Sequence, residues 1–133
     1  MLKPSEQNIL VIDDEKSFCE VVAEILLNDG YKVQKAFSAS QALTILESFE
    51  PTLIILDIMM PDIDGLTMVR RLRSLPRFAH LPIIVSSAKF QEEDQRSAFE
   101  AGANQYLTKP FSAQDLRGSI LQALTNGTKP FMP

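Results

Sequence analysis

Cysteine is almost missing from this chain of 133 residues: Cys19 stands alone. A single cysteine can form neither an intrachain disulfide nor a cysteine metal site, which points to a reduced, cytoplasmic setting. Long apolar runs are missing too. The longest falls far short of the ~20 residues that a membrane-spanning helix needs, so no membrane insertion is expected. The opening Met1-Leu2-Lys3-Pro4-Ser5-Glu6 carries a proline and an acid and no apolar stretch, unlike a signal peptide. Positive charge is in the minority, 13 Lys and Arg against 17 Asp and Glu, for a net charge of −4. That balance offers DNA or RNA no attractive field, and direct nucleic-acid binding is not expected. The basic cluster Arg70-Arg71-Leu72-Arg73 reads as a solvated helix end. His80, the one histidine, lies in a loop bracketed by Pro76 and Pro82 with no Cys or His nearby, so it reads as surface.

What is present suits one ordinary globular domain: 45% hydrophobic residues and 23% charged. The apolar residues fall into two kinds of segment. Ile9-Leu10-Val11-Ile12, Leu53-Ile54-Ile55-Leu56 and Pro82-Ile83-Ile84-Val85 are short continuous runs, as in strands buried on both faces of a parallel sheet. Tyr31 to Ala36 and Gln105-Tyr106-Leu107 read as shorter, less buried strands. Between them the period turns helical. Phe18, Val21, Val22, Ile25 and Leu26 share one face of a first helix, which Asn28-Asp29-Gly30 ends. Cys19 sits there among apolar neighbours and reads as structural. Ser38 or Ser40 caps a second helix bearing Ala42, Leu43, Ile45, Leu46 and Phe49, closed at Glu50-Pro51. A third starts at Gly65 with Leu66, Val69 and Leu72 inward. A weakly amphipathic fourth runs from Gln91 to Ala101, and a fifth follows Ser112 and ends at Asn126-Gly127. Regular strand-then-helix alternation predicts right-handed crossovers and a parallel sheet covered by helices on both faces. Residues 1–7 form a loose polar leader in this reading, 8–126 the domain and 127–133 a tail.

The chemistry lies just past the strand ends. The first strand yields Asp13-Asp14, the third Asp57, the fourth Ser87-Ala88 and the fifth Thr108-Lys109-Pro110. In a parallel sheet these ends face the same way. With strand order 2-1-3-4-5 the first and third strands are neighbours at the topological switch point, so Asp13, Asp14 and Asp57 share a pocket. Like charges ~4 Å apart repel by about 4 kcal/mol at an effective dielectric near 20. Either a proton is retained or a cation enters, and a divalent ion of the Mg²⁺ kind suits such carboxylates. With Lys109 and the Ser87 hydroxyl in reach, Asp57 becomes a plausible nucleophile for phosphoryl transfer.

Taken together, Asp13-Asp14, Asp57 followed by Met-Met-Pro-Asp-Ile-Asp-Gly, Ser87-Ala88 and Lys109-Pro110-Phe111 resemble the receiver domain of the two-component response regulators. The likeness covers about residues 8–125, and the chain is similar in length to single-domain chemotaxis regulators. It implies a flavodoxin-like, doubly wound α/β fold, (βα)5, with a five-stranded parallel sheet in the order 2-1-3-4-5. It further implies that Asp57 accepts a phosphoryl group from a phosphohistidine on a sensor histidine kinase or histidine phosphotransfer protein. Asp14 and Asp57, with the Met59 backbone carbonyl, then ligate Mg²⁺ (or Mn²⁺), and Asp13 assists through water. Ser87 and Tyr106 become a switch pair, and the Lys109-Pro110 bond is expected to be cis. The face of the fourth helix, fifth strand and fifth helix would dock a downstream target or a second copy. The protein is then a signalling domain that catalyses only its own phosphorylation and dephosphorylation.

Ser87 stands where Thr is also common in that family. Met59 and Lys89, at the positions flanking the phosphoryl group, place no acid or amide to orient an attacking water, so slow dephosphorylation is expected. Plainer readings exist for single residues: helix capping for Asp13 and Asp14, a strand core position for Tyr106, packing for Met59-Met60. Two other functions share the fold. A phosphohydrolase of this kind usually shows a second acid two residues after its nucleophile, where this chain has Met59. A flavin or nucleotide binder needs a glycine-rich first loop, where this chain has Asp13-Asp14-Glu15. After Asn126-Gly127 only six residues remain. The expectation is therefore a stand-alone regulator or a receiver cut from a longer protein, with Met1 favouring an N-terminal place.

Overall fold

The computed structural model describes residues 3–125. Five strands, β1 (Asn8–Ile12), β2 (Lys32–Ala36), β3 (Leu53–Asp57), β4 (Ile83–Ser87) and β5 (Gln105–Thr108), form one sheet. All pairings are parallel, in the order β2-β1-β3-β4-β5. Helices α1 (Lys16–Asn28), α2 (Ala39–Ile45), α3 (Gly65–Arg73), α4 (Glu92–Ala101) and α5 (Ala113–Thr125) alternate with them. The expected strand order and layering are what the structure contains.

The period-2 geometry of each central strand explains its uninterrupted apolar sequence. Leu10, Ile12, Ile54, Leu56, Ile83 and Val85 face one core with residues of α2, α3 and α4. Ile9, Val11, Leu53, Ile55 and Ile84 face the other, with Cys19, Val22 and Leu26 of α1 and Leu116 and Ile120 of α5. β3 and β4 are buried along their whole length, whereas β2 is mostly exposed and β5 half-buried throughout. No helix among the described residues is long and apolar enough to cross a membrane.

Three local expectations need correction. Residues 3–7 are not loose: Pro4–Glu6 form a 3-10 turn, and the buried Gln7 accepts a hydrogen bond from the Lys32 amide at 3.1 Å. α2 stops at Ile45, short of Glu50, because bonds from Glu47 N to Thr44 O (3.2 Å) and Ser48 N to Ile45 O (3.1 Å) tighten the last turn. In α3 Val69 and Leu72 are buried and Leu66 packs half-buried against the same core, as expected, and Met68 joins them.

Arg73 is not solvated. Its guanidinium donates to Gly102 O (2.9 and 2.8 Å), Leu81 O (2.6 Å), Phe78 O (2.9 Å) and Asn104 Oδ1 (2.8 Å). It thus ties α3 to the end of α4 and the start of β5, and burial lowers its pKa. Arg70 and Arg71 are exposed as expected, and so is His80. The expected helix end at Asn126-Gly127 and the 127–133 tail lie outside the described residues.

Candidate functional site

β1 and β3 pair directly, Ile12 opposite Leu56, so the acids that follow them emerge side by side. Asp13 is 1% exposed and Asp57 5%, while Asp14 is open to solvent. Each of the three offers a carboxylate oxygen within 4.8 Å of the others. The predicted convergence at the switch point is present.

The two buried acids are oriented in the same way. Asp13 Oδ1 accepts from the Glu15 amide at 3.0 Å, just ahead of α1, and Asp57 Oδ1 accepts from the Met59 amide at 3.0 Å. Asp13 thus closes a turn onto Glu15, the residue that precedes α1, rather than capping the helix itself, and that bond occupies only one oxygen. The other oxygen of each acid faces Lys109, whose Nζ lies 2.7 Å from Asp13 Oδ2 and 3.1 Å from Asp57 Oδ2. The Lys109 side chain is 11% exposed and reaches in from the end of β5 through a cis Lys109-Pro110 bond.

Burial pushes the Asp57 carboxyl above its ordinary value; the Met59 amide and Lys109 pull it back only in part, and Asp13 adds to the rise. For Lys109 burial acts to lower the pKa, but the Asp13 hydrogen bond and the charge of Asp57 outweigh it, so the ammonium is held above its usual range. The acids are crowded and the cation is fixed.

Gly65 explains how the loop after Asp57 is shaped. A Cβ there would lie 2.2 Å from Ile58 Cα and 2.7 Å from Asp57 O, so only glycine lets the start of α3 touch the strand end. The Gly65 amide donates to Ile58 O at 3.0 Å. Farther along the loop, Asp62 accepts from the amides of Ala39 (3.3 Å) and Ser40 (3.0 Å) and from the Ser40 hydroxyl (3.1 Å), pinning the loop to the start of α2. These bonds, the Ser40 amide first, hold the Asp62 carboxyl down at about 2.

On the other flank Ser87 is fully buried, and its Oγ accepts from the Lys89 amide at 3.1 Å. The Tyr106 hydroxyl donates to Lys89 O at 2.8 Å. Both members of the expected switch pair are thus anchored on the backbone of one residue. Burial raises the Tyr106 pKa, and the neighbouring Ser87 hydroxyl works against that rise. Met59 is 52% exposed beside the acids, and the Lys89 side chain is exposed.

Sequence reasoning assigned no site role to Gly65, Asp62 or Phe18. A glycine at the first position of a helix, where it costs helix stability, was the readable signal for Gly65. Asp62 and Phe18 carry no such local mark, since their partners are 22 and more residues distant.

A family model described as the response regulator receiver domain matches residues 9–121. The DNA-binding dual master transcriptional regulator RpaA of Synechocystis is 37% identical over 84% of this chain, which spans 46% of RpaA. Response regulator MprA of Mycobacterium avium is 38% identical over 92% of the chain, which spans 52% of MprA. The chain thus spans about half the length of these curated relatives. Among solved structures, chemotaxis response regulator CheY4 of Vibrio cholerae superposes with a TM-score of 0.84 at 26% identity, covering 88% of this chain and 98% of that one. With the acid pair just past β1, Asp57 at the end of β3 and Lys109 after β5 brought side by side, the protein belongs to the response regulator receiver domain family.

Proposed function

We propose that the chain is a phosphoacceptor switch in a two-component phosphorelay, with residues 8–126 as the working unit and the cytoplasm as its setting. Asp57 takes a phosphoryl group from a phosphohistidine on a sensor histidine kinase or histidine phosphotransfer protein. The observation that carries this reading is the pair of buried acids, Asp13 and Asp57, bridged by one enclosed ammonium. An acid with one oxygen fixed by its own loop and the other beside a cation is an oriented nucleophile. Its oxygen attacks phosphorus, the P–N bond breaks, and the electron pair leaves with the imidazole, which takes up a proton. Lys109 and the Ser87 hydroxyl then donate to the phosphoryl oxygens.

The donor set fits a hard divalent cation: it is all carboxylate and carbonyl oxygen, with three oxygens within 4.8 Å and no nitrogen or sulfur. Asp13, Asp14, Asp57 and the Met59 carbonyl would hold Mg²⁺ or Mn²⁺, with Asp13 acting through water. When bound, the ion supplies positive charge that offsets the crowded acids and the phosphoryl oxygens.

The response follows from the shared anchor. Drawing Ser87 toward a phosphorylated Asp57 breaks its bond to the Lys89 amide, and Lys89 is also what holds the Tyr106 hydroxyl. Tyr106 is then released to turn inward, and the α4-β5-α5 face changes shape for a downstream protein or a second copy. Neither Met59 nor Lys89 offers an acid or amide to orient water, so the domain, acting only on itself, loses phosphate slowly.

Beryllofluoride with Mg²⁺, an acyl phosphate mimic, tests the assignment. Wild type is expected to bind it and to shift the resonances of Ser87 and Tyr106; Asp57→Asn is expected to do neither. Equal binding by Asp57→Asn would overturn the acceptor assignment.

A further inference from the structure

We propose that Phe18 is a positioning residue for phosphoryl uptake, acting through the face of its ring on Lys109; the inference rests on the phosphoacceptor reading of Asp57. The ammonium has three N–H groups. Asp13 and Asp57 take two of them, at 2.7 and 3.1 Å. The centroid of the Phe18 ring lies 4.0 Å from the same nitrogen, well inside the range in which an aromatic face attracts a cation. Glu15 Oε1, 3.8 Å away, is beyond hydrogen-bonding distance and belongs to an exposed side chain. The ring is therefore a third close contact of the cation, beside the two buried acids.

The ring is itself held. Phe111, two residues past Lys109, meets Phe18 edge to face, with centroids 5.5 Å apart and planes at 86°. Phe18 also packs on the core beneath α1 and α5. One aromatic side chain from α1 thus fixes both the lysine and the turn that carries it. An ammonium that has lost most of its water is attracted to a π face more strongly than a hydrated one. A leucine in this place fills much of the volume but has no quadrupole, so the cation regains freedom to tilt toward solvent. The consequence falls on the step in which Lys109 meets a phosphoryl oxygen. The ring acts by keeping the charge aimed at Asp57, and it touches neither donor nor phosphoryl group.

The test separates shape from electrostatics. Phe18→pentafluorophenylalanine keeps the ring's outline while inverting the charge on its face, and Phe18→Leu removes the ring. Both are measured with full-length protein for beryllofluoride affinity in Mg²⁺ and for the rate of phosphorylation by acetyl phosphate at saturation. Each variant is expected to weaken beryllofluoride binding roughly three- to tenfold, with Phe18→Tyr close to wild type. The Lys109 ε-methylene proton resonances, shifted upfield by the ring in wild type, are expected to return to ordinary values in Phe18→Leu. Wild-type affinity in the pentafluoro variant would overturn the proposal, since that variant preserves packing even where Phe18→Leu fails to fold. Absence of beryllofluoride binding by wild type itself would overturn the acceptor reading and this inference together. An unshifted Lys109 methylene in wild type would overturn the ring contact alone.

Discussion

Replacing Lys109 by methionine keeps the aliphatic stem and deletes the one cation that, among the described residues, is paired with both buried acids. At an effective dielectric near 20, unit charges 4.8 Å apart repel by about 3.5 kcal/mol, and Asp13 and Asp57 offer oxygens within that distance. Removing one partner of a buried charge set commonly costs about 3–5 kcal/mol for the same reason. Lys109→Met is therefore expected to lose about 3 kcal/mol of unfolding free energy in urea at pH 7 with EDTA present. For a domain of this size that is a fall of roughly 10 °C in Tm. Adding Asp57→Asn to Lys109→Met removes the repulsion between the buried pair, and the double variant is expected to recover most of the loss. Mg²⁺ is expected to stabilise Lys109→Met more than it does wild type, because in the variant it replaces the positive charge that Lys109 supplies to the acids. A loss under ~1 kcal/mol, the ordinary worth of a surface ion pair, would refute the crowding argument. So would a double variant no more stable than Lys109→Met.

The remaining predictions concern the loop beyond Asp57 and its surroundings. Gly65→Ala forces a methyl against the Ile58 backbone, 2.2 Å away, and is expected to cost about 1–3 kcal/mol in urea unfolding while weakening Mg²⁺ binding measured by titration; an unchanged midpoint would show that the loop yields freely. The Asp62 carboxyl, held at about 2 against 3.8 for the ordinary group, contributes stability that is present above pH 3.8 and is lost as pH falls toward 2. Its exposure keeps the effect small, and Asp62→Asn should flatten the acid limb of the Tm–pH profile between those values; superimposable profiles would dismiss the pin to α2. Met59→Asn places an amide beside the acceptor and is expected to speed loss of phosphate from phosphorylated protein, followed by phosphate release. A rate no faster than wild type would remove Met59 from the account of phosphate lifetime.

The architecture was readable because each central strand must be apolar on both faces, and a run such as Leu53-Ile54-Ile55-Leu56 has few other uses. The acids at the β1 and β3 ends were readable for the complementary reason: nothing in a buried strand explains an aspartate at its exit except what lies outside the sheet. Arg73 was misread because an arginine at a helix end resembles its neighbours Arg70 and Arg71. Only the carbonyls of Phe78, Leu81 and Gly102, brought in from other elements, distinguish it. The early end of α2 was hidden too, since Leu46 and Phe49 keep the helical period past the point where the backbone tightens. The Phe18 position shows the same limit. An apolar residue on the inner face of α1 predicts burial but not the ammonium that arrives from a strand 91 positions later.

The sheet also distributes stiffness in a way that suits the proposed switch. Asp57 leaves β3 and Ser87 closes β4, the two strands buried along their full length, and such segments open only at high free-energy cost. Asp57 is thereby kept rigid, as the proposed role of oriented nucleophile requires. Tyr106 belongs to β5 and Lys109 directly follows it, at the end of the four-residue edge strand that is half-buried throughout and carries neighbours on one side only. Displacing β5 disturbs less packing than displacing either central strand, so in the proposed switch a charge change at Asp57 would move the edge before the core. On this view the placement of Tyr106 matters as much as its hydroxyl. Tyr106→Phe should keep the response of α4 to beryllofluoride partly intact, while a cross-link holding β5 to α4 should abolish it without lowering beryllofluoride affinity more than a few-fold. If the cross-linked protein still showed the full shift of the α4 resonances, the soft edge would not be the moving part.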